Sequence, residues 1–236
     1  SIDGGTIKLD GNYPTGTGNV ALGNVALDDA SLTGGSNTAI GAASLSLNTS
    51  GIRNTAVGEG SLCSNTTGSY NEAFGRLALQ ANISGSCNVA IGQRALYVNT
   101  ADDNTAVGSQ ALGANTTGTA NTSLGFYSLK ANTTASNNTA VGYSSLCANT
   151  TGTQNVAVGS GSLDIATTGN CNTALGHGTM GETTTGSCNT AVGRTALFST
   201  TTGNNNTAVG VSALQTNTTA NYNTAVGFES LKSNTT

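Results

Sequence analysis

The sequence predicts an all-β fold, a single-stranded β-solenoid of about thirteen 17-residue coils, and three observations predict it. The first is a glycine that returns at Gly23, Gly41, Gly58, Gly75, Gly92, Gly108, Gly125, Gly142, Gly159, Gly176, Gly193, Gly210 and Gly227. Its intervals are 18, then 17 three times, then 16, then 17 throughout. The second is the phrase around it, N-T-A-V-G-x-x-[AS]-L-x-x-N-T-T-G-x-x, with Asn at position 1 and Gly at position 5 of all thirteen units. The third is composition: Gly, Asn and Thr dominate, charged residues are 8%, and Pro occurs once. Such a mixture suits tight turns and short strands, and lacks the charge and proline of disordered chains.

The elements follow in order along one unit. A 17-residue period is too short for paired helices, which need over about 30 residues, and fits two short strands joined by two turns. "TAV" and "ALx" are the expected strands, since small and β-branched residues pack on a pleat. "NTTG" is the expected turn, with Asn and Gly tolerating positive φ. Thirteen coils stacked at about 4.8 Å give a rod on the order of 60 Å long. Residues 19–236 form this repeat domain, and residues 1–18, with the strand-like "TIKL" and Pro14, are the expected N-terminal cap or docking segment.

The invariant position predicts a ladder of side-chain amides: Asn19, Asn37, Asn54, Asn71, Asn88, Asn104, Asn121, Asn138, Asn155, Asn172, Asn189, Asn206 and Asn223. Each bonds to the coil above and below and satisfies turn backbone groups, a structural demand rather than a chemical site. Neighbouring strand residues point to opposite sides. The large members, such as Val141 and Leu146, are expected to fill the interior, and the small ones, such as Ala140 and Ser145, to face outward. A smooth outer row of Ala39, Ala56, Ala106, Ala140, Ala157, Ala191, Ala208 and Ala225 is then a candidate lateral interface. Two sizeable buried side chains per coil, worth roughly 1.5–3 kcal/mol apiece, leave a thin coil under-filled, and association side by side would add burial.

These residues bring a family into view. "NTAVGxxALxxNTTG" resembles the head repeats of trimeric autotransporter adhesins and the related repeats of phage tail fibres and other surface fibres, over residues 19–236. The resemblance implies a left-handed parallel β-roll, three chains joined along their length, and a surface-attachment role. Ala140, Val141 and Gly142 match the family's "AIG" element and Ser145 the small residue after it. The adhesin unit is nearer 14 residues, so the extra "NTT" turn has no counterpart, and no neck, stalk, anchor or chaperone domain is present in the sequence.

The remaining residues exclude more chemistry than they suggest. Net charge is −4 and seven scattered basic residues make no phosphate-binding stripe, so no nucleic acid is expected. No apolar run approaches the roughly 18 residues of a membrane span. No cofactor or metal is expected: His177 is the only His, and the acidic pairs Asp28–Asp29 and Asp102–Asp103 read as solvated turns. The five Cys have no CxxC spacing; Cys171 and Cys188 occupy one position of successive coils, where a disulfide or, as the better-supported reading, buried free thiols are expected. Phe126, Tyr127, Lys130 and Tyr143 form a candidate patch for a cell-surface glycan or receptor, with packing against a neighbouring chain as its alternative. Sequons such as Asn115-Thr116-Thr117 and Asn149-Thr150-Thr151 become glycosylation sites in a eukaryotic secreted protein.

These residues point to a non-enzymatic, extracellular or virion-surface fibre segment, self-associating as a homotrimer. Two alternatives stand beside it. Thr rows at positions 2, 13 and 14 could present regular hydroxyls to ice, and the end at "SNTT", two-thirds through a unit without a polar cap, points to truncation or end-to-end stacking into a filament.

Overall fold

The computed structural model describes residues 17–235. The expected cap falls almost wholly outside them, "TIKL" and Pro14 included. The chain divides into two compact units, Ser1–Thr117 and Gly118–Thr236. In the first, six three-residue strands run β1 (Val20–Leu22), β2 (Thr38–Ile40), β3 (Thr55–Val57), β4 (Glu72–Phe74), β5 (Val89–Ile91) and β6 (Thr105–Val107). Each pairs in parallel with the next, repeat position against repeat position. The second holds β7 (Thr122–Leu124), β8 (Thr139–Val141), β9 (Val156–Val158), β10 (Thr173–Leu175), β11 (Thr190–Val192), β12 (Thr207–Val209) and β13 (Thr224–Val226), paired in the same way. Both units are β-solenoids in which one repeat makes one coil.

The coil of residues 138–154 shows how the phrase closes on itself. Its strand donates Thr139 N–H to Asn155 O at 2.8 Å, and Gly142 N–H returns to Leu124 O at 2.8 Å. Gly142 sits at φ 131, and a Cβ there would lie 2.7 Å from the carbonyl carbon and oxygen of Gly159. No side chain fits that approach, which is why position 5 never varies.

The expected second strand, "ALx", does not form. In its place is a limb of overlapping turns, with Ser145 N–H to Gly142 O at 3.4 Å and Asn149 N–H to Leu146 O at 3.2 Å. Ser144 and Leu146 are left-handed, at φ 51 and 49. That conformation costs roughly 1–2 kcal/mol per residue. Here it turns alternate amides to opposite neighbours: Ser144 N–H to Phe126 O and Leu146 N–H to Ser162 O, both at 3.0 Å. Pairing the N–H groups of the left-handed residues to both neighbouring coils outweighs the conformational cost. A side chain unbranched at Cβ suits a left-handed interior site, and position 9 is Leu or Met180 throughout.

The two faces of the strand are the reverse of the expectation. Ala39, Ala56, Ala106, Ala140, Ala157, Ala191 and Ala208 are wholly buried inside their own coils, and Ala225 nearly so. They cannot line a lateral interface. Parity is the reason: Asn at position 1 points inward to its ladder, so position 3 points inward too and positions 2 and 4 point out. Between the terminal coils the interior takes one large aliphatic side chain per coil, the fully buried Leu146 and its counterparts, with Ala140 and Ser145 beside it. Small residues opposite the Leu are what let coils this narrow close-pack. Where Ser123 replaces the strand Ala, its Oγ lies against Ser128 Oγ and donates to Ser128 O at 2.9 Å, so the polar exchange is matched within the coil.

Candidate functional site

The position-1 Asn side chains are fully committed. Asn138 Oδ1 accepts the backbone N–H of Asn155 at 2.9 Å and the Asn155 amide at 3.2 Å. Asn138 Nδ2 crosses the coil to Gly152 O at 2.9 Å. The same set recurs at Asn54, Asn71, Asn189 and Asn206. An amide held on both sides in a buried row has neither free valence nor acid–base chemistry, so it fixes geometry and offers nothing to a ligand.

A second interior amide row, at position 12, was not expected from the sequence. Asn65 Nδ2 donates to Asn48 Oδ1, and Asn82 Nδ2 to Asn65 Oδ1, at 2.8 Å each. Asn149 Nδ2 donates to Asn132 Oδ1 at 2.9 Å. This row has breaks: Ala166, Thr183 and Thr200 take the position in three coils, and in the 18-residue first coil, where Thr33 N–H pairs with Thr49 O, Leu32 lies opposite Asn48. The breaks leave traces, for Asn149 Oδ1, which faces the coil carrying Ala166, and Thr183 Oγ1 have no partner. Asn82 Oδ1 is also unpaired. It precedes the 16-residue coil, where Asn99 Nδ2 turns to Ala101 O at 2.8 Å instead. The row also decides the sequons. Asn115 and Asn149 are fully buried with amides donating at 2.6 and 2.9 Å, so neither is a glycan acceptor in the folded chain.

What the molecule offers outward is the position-4 stripe. In the first unit it runs Leu22, Ile40, Val57, Phe74, Ile91 and Val107; in the second, Leu124, Val141, Val158, Leu175, Val192, Val209 and Val226. Most are over a third exposed, Leu124 at 46% and Leu175 at 39%. The paired registers place each directly on the next, so these are continuous apolar columns and not scattered residues. The signal lay in the phrase: an inward Asn at position 1 fixes the parity of positions 2 to 4.

The aromatic candidates come together in the second unit. Phe126 and Tyr143, at position 6 of successive coils, stack with centroids 5.8 Å apart and an interplanar angle of 8°. Tyr127 meets Phe126 at 3.8 Å, and Lys130 Nζ lies 4.0 Å from the Tyr127 ring centre. Phe126 and Tyr143 are exposed. In the position of Lys130, the next two coils carry Cys147 and Asp164. Burial pushes the Cys147 thiol up, the Asp164 charge adds to this, and Lys130 opposes it. Burial also raises the Asp164 carboxyl. The neighbourhood thus pairs flat apolar rings with one cation and one acid, a set able to stack on and hydrogen-bond a hydroxyl-rich ligand.

The other candidates stay apart. His177 is exposed with no acid beside it, and among the described residues no group of three His, Cys, Asp or Glu side chains could hold a metal. Asp29 Oδ1 accepts Ser31 N–H and Oγ–H at 2.8 and 2.6 Å, which holds its carboxyl below the usual range. Cys87, Cys171 and Cys188 are exposed free thiols, against the expectation of burial, because position 17 lies at an outer corner. Position-13 hydroxyls are already used, Thr150 and Thr167 donating to carbonyls of the next coil at 3.1 and 3.2 Å. Among the described residues no helix is long and apolar enough to cross a membrane.

Comparison of the chain with protein-family models, with curated proteins and with solved structures finds no match.

Proposed function

We propose that this chain is a non-catalytic segment of an extracellular or virion-surface fibre, in which copies associate lengthwise as a homotrimer of left-handed rolls. The observation that carries the reading is the position-4 stripe. Contiguous exposed apolar surface on a soluble protein marks an interaction site. Another copy of the chain carries the same residues at the same rise per coil, about 4.8 Å, so its side chains meet these in step along the whole column. A partner of any other rise falls out of step within a few coils. The interface in this reading is therefore the Val, Ile, Leu and Phe side chains at position 4, not Ala at position 3.

In this reading repetition supplies length and stiffness, and local departures supply recognition. The Phe126, Tyr127, Lys130 and Tyr143 patch is the candidate contact for a cell-surface glycan or receptor. Commitment of the position-13 hydroxyls to carbonyls of the next coil weakens the ice-binding alternative, which needs a regular face of free Thr.

The test is sedimentation of the intact chain beside Val158→Asp/Val192→Asp. The parent is expected at three times the chain mass and the double variant as a monomer, with strand content unchanged by circular dichroism. A monomeric parent, or a double variant that still assembles, refutes the stripe as interface.

A further inference from the structure

Cys171 and Cys188 are the one place where two thiols share a column in consecutive coils. Both occupy position 17, both are exposed, and both are free. Their backbones have the same left-handed geometry, φ 57 and 58, so their Cα–Cβ bonds run side by side. The stacking is fixed by hydrogen bonds made at every coil: Cys171 N–H to Thr153 O at 3.0 Å, Cys188 N–H to Asn170 O at 2.9 Å and Asn205 N–H to Ser187 O at 3.1 Å. One coil step is about 4.8 Å. A disulfide needs Cα atoms about 4.4–6.8 Å and Cβ atoms about 3.5–4.5 Å apart; stacked position-17 residues meet the first condition, and their parallel Cα–Cβ bonds leave the Cβ atoms about 4.8 Å apart, so closure draws the two corners together by a few tenths of an ångström. The Cys171 thiol now donates to Gln154 Oε1 at 3.3 Å, on the side away from Cys188. Rotation about its Cα–Cβ bond brings it across.

A second observation falls on the same coils. The coil ending at Cys171 has Ala166 in the second amide row, and the coil ending at Cys188 has Thr183, whose Oγ1 is unpaired. These neighbours lack the side-chain bond that joins Asn48, Asn65 and Asn82 elsewhere.

We propose that Cys171 and Cys188 are a disulfide-exchange site that clasps two coils where their interior amide row lapses. With a small-molecule disulfide as oxidant the step balances. One protein thiolate attacks a sulfur of the oxidant, forming a mixed disulfide and expelling one small thiolate. The second protein thiolate then attacks the protein sulfur of that mixed disulfide and expels the other small thiol. The protein loses two protons and two electrons, and one oxidant disulfide becomes two thiols.

The test treats the full native chain with glutathione disulfide at neutral pH, followed by alkylation and peptide mapping without reduction. Cys87 is the internal control: it has the same position and exposure, but its column neighbours are Tyr70 and Asp103. The expected result is a Cys171–Cys188 cross-linked peptide, with Cys87 reaching only the mixed glutathione adduct. Cys171→Ser is expected to leave Cys188 as a stable mixed adduct, and Cys188→Ser the reverse. Cross-linking is expected to be on the order of tenfold faster in the folded chain than in denaturant, because the stack raises the effective thiol concentration. Stable mixed adducts on both cysteines, cross-links between separate chains, or equal rates folded and unfolded each overturn the proposal.

Discussion

The two interior amide rows differ in what they hold, and that difference explains why one is invariant and the other is not. Asn138 at position 1 serves the backbone: its Oδ1 takes the Asn155 N–H at 2.9 Å and its Nδ2 reaches Gly152 O on the far limb at 2.9 Å. Asn149 at position 12 bonds Asn132 Oδ1 at 2.9 Å and the carbonyl of its own turn, Gly152 O, at 3.0 Å. That carbonyl already has Asn138. Removing a position-12 side chain therefore strands no backbone group, whereas removing a position-1 side chain strands a buried N–H. The sequence follows the rule: Asn in all thirteen coils at position 1, but Ala166, Thr183 and Thr200 admitted at position 12, and Leu32 opposite Asn48 in the first coil.

The largest test of this contrast is Asn138→Ala. It leaves the Asn155 N–H buried without an acceptor and opens a void, and a loss of about 3 kcal/mol is expected by denaturant unfolding. A loss under about 1 kcal/mol would mean that the row is ornamental. Asn149→Ala should fall well below it, at about 1 kcal/mol, because the amide removed already has an unpaired Oδ1. Equal losses for the two variants would erase the distinction between the rows. The smallest effect sharpens it: Ala166→Asn gives Asn149 Oδ1 a donor, and a gain of about 0.5–1 kcal/mol is expected, read as a rise in Tm. No gain would show that coil spacing, and not the missing amide, separates those side chains.

Much of this was legible in the phrase. The period fixed one coil per repeat, the Gly row marked a recurring turn, and the invariant Asn marked a ladder. Three features depart from what the phrase suggests, each for a physical reason. "ALx" looks like a strand by residue type, yet Leu146 is left-handed at φ 49, because its N–H must turn to Ser162 O in the next coil. Val141 suits the core by its size, but parity with the inward Asn138 puts it outside and Ala140 within. The "NTT" Asn suits a turn by residue type, yet it forms the second row, since only closure of the coil brings residues 12 positions into the repeat to the axis.

The sequence by itself determined the coil: its length, its closing glycine and the one amide that every turn requires. Those depend on bonds repeated identically each period, so periodicity encodes them. Only the tertiary structure decided which face of the strand is solvent and that the stacked thiols and rings lie exposed. These depend on where a 17-residue loop places its corners, and no single repeat contains its neighbour.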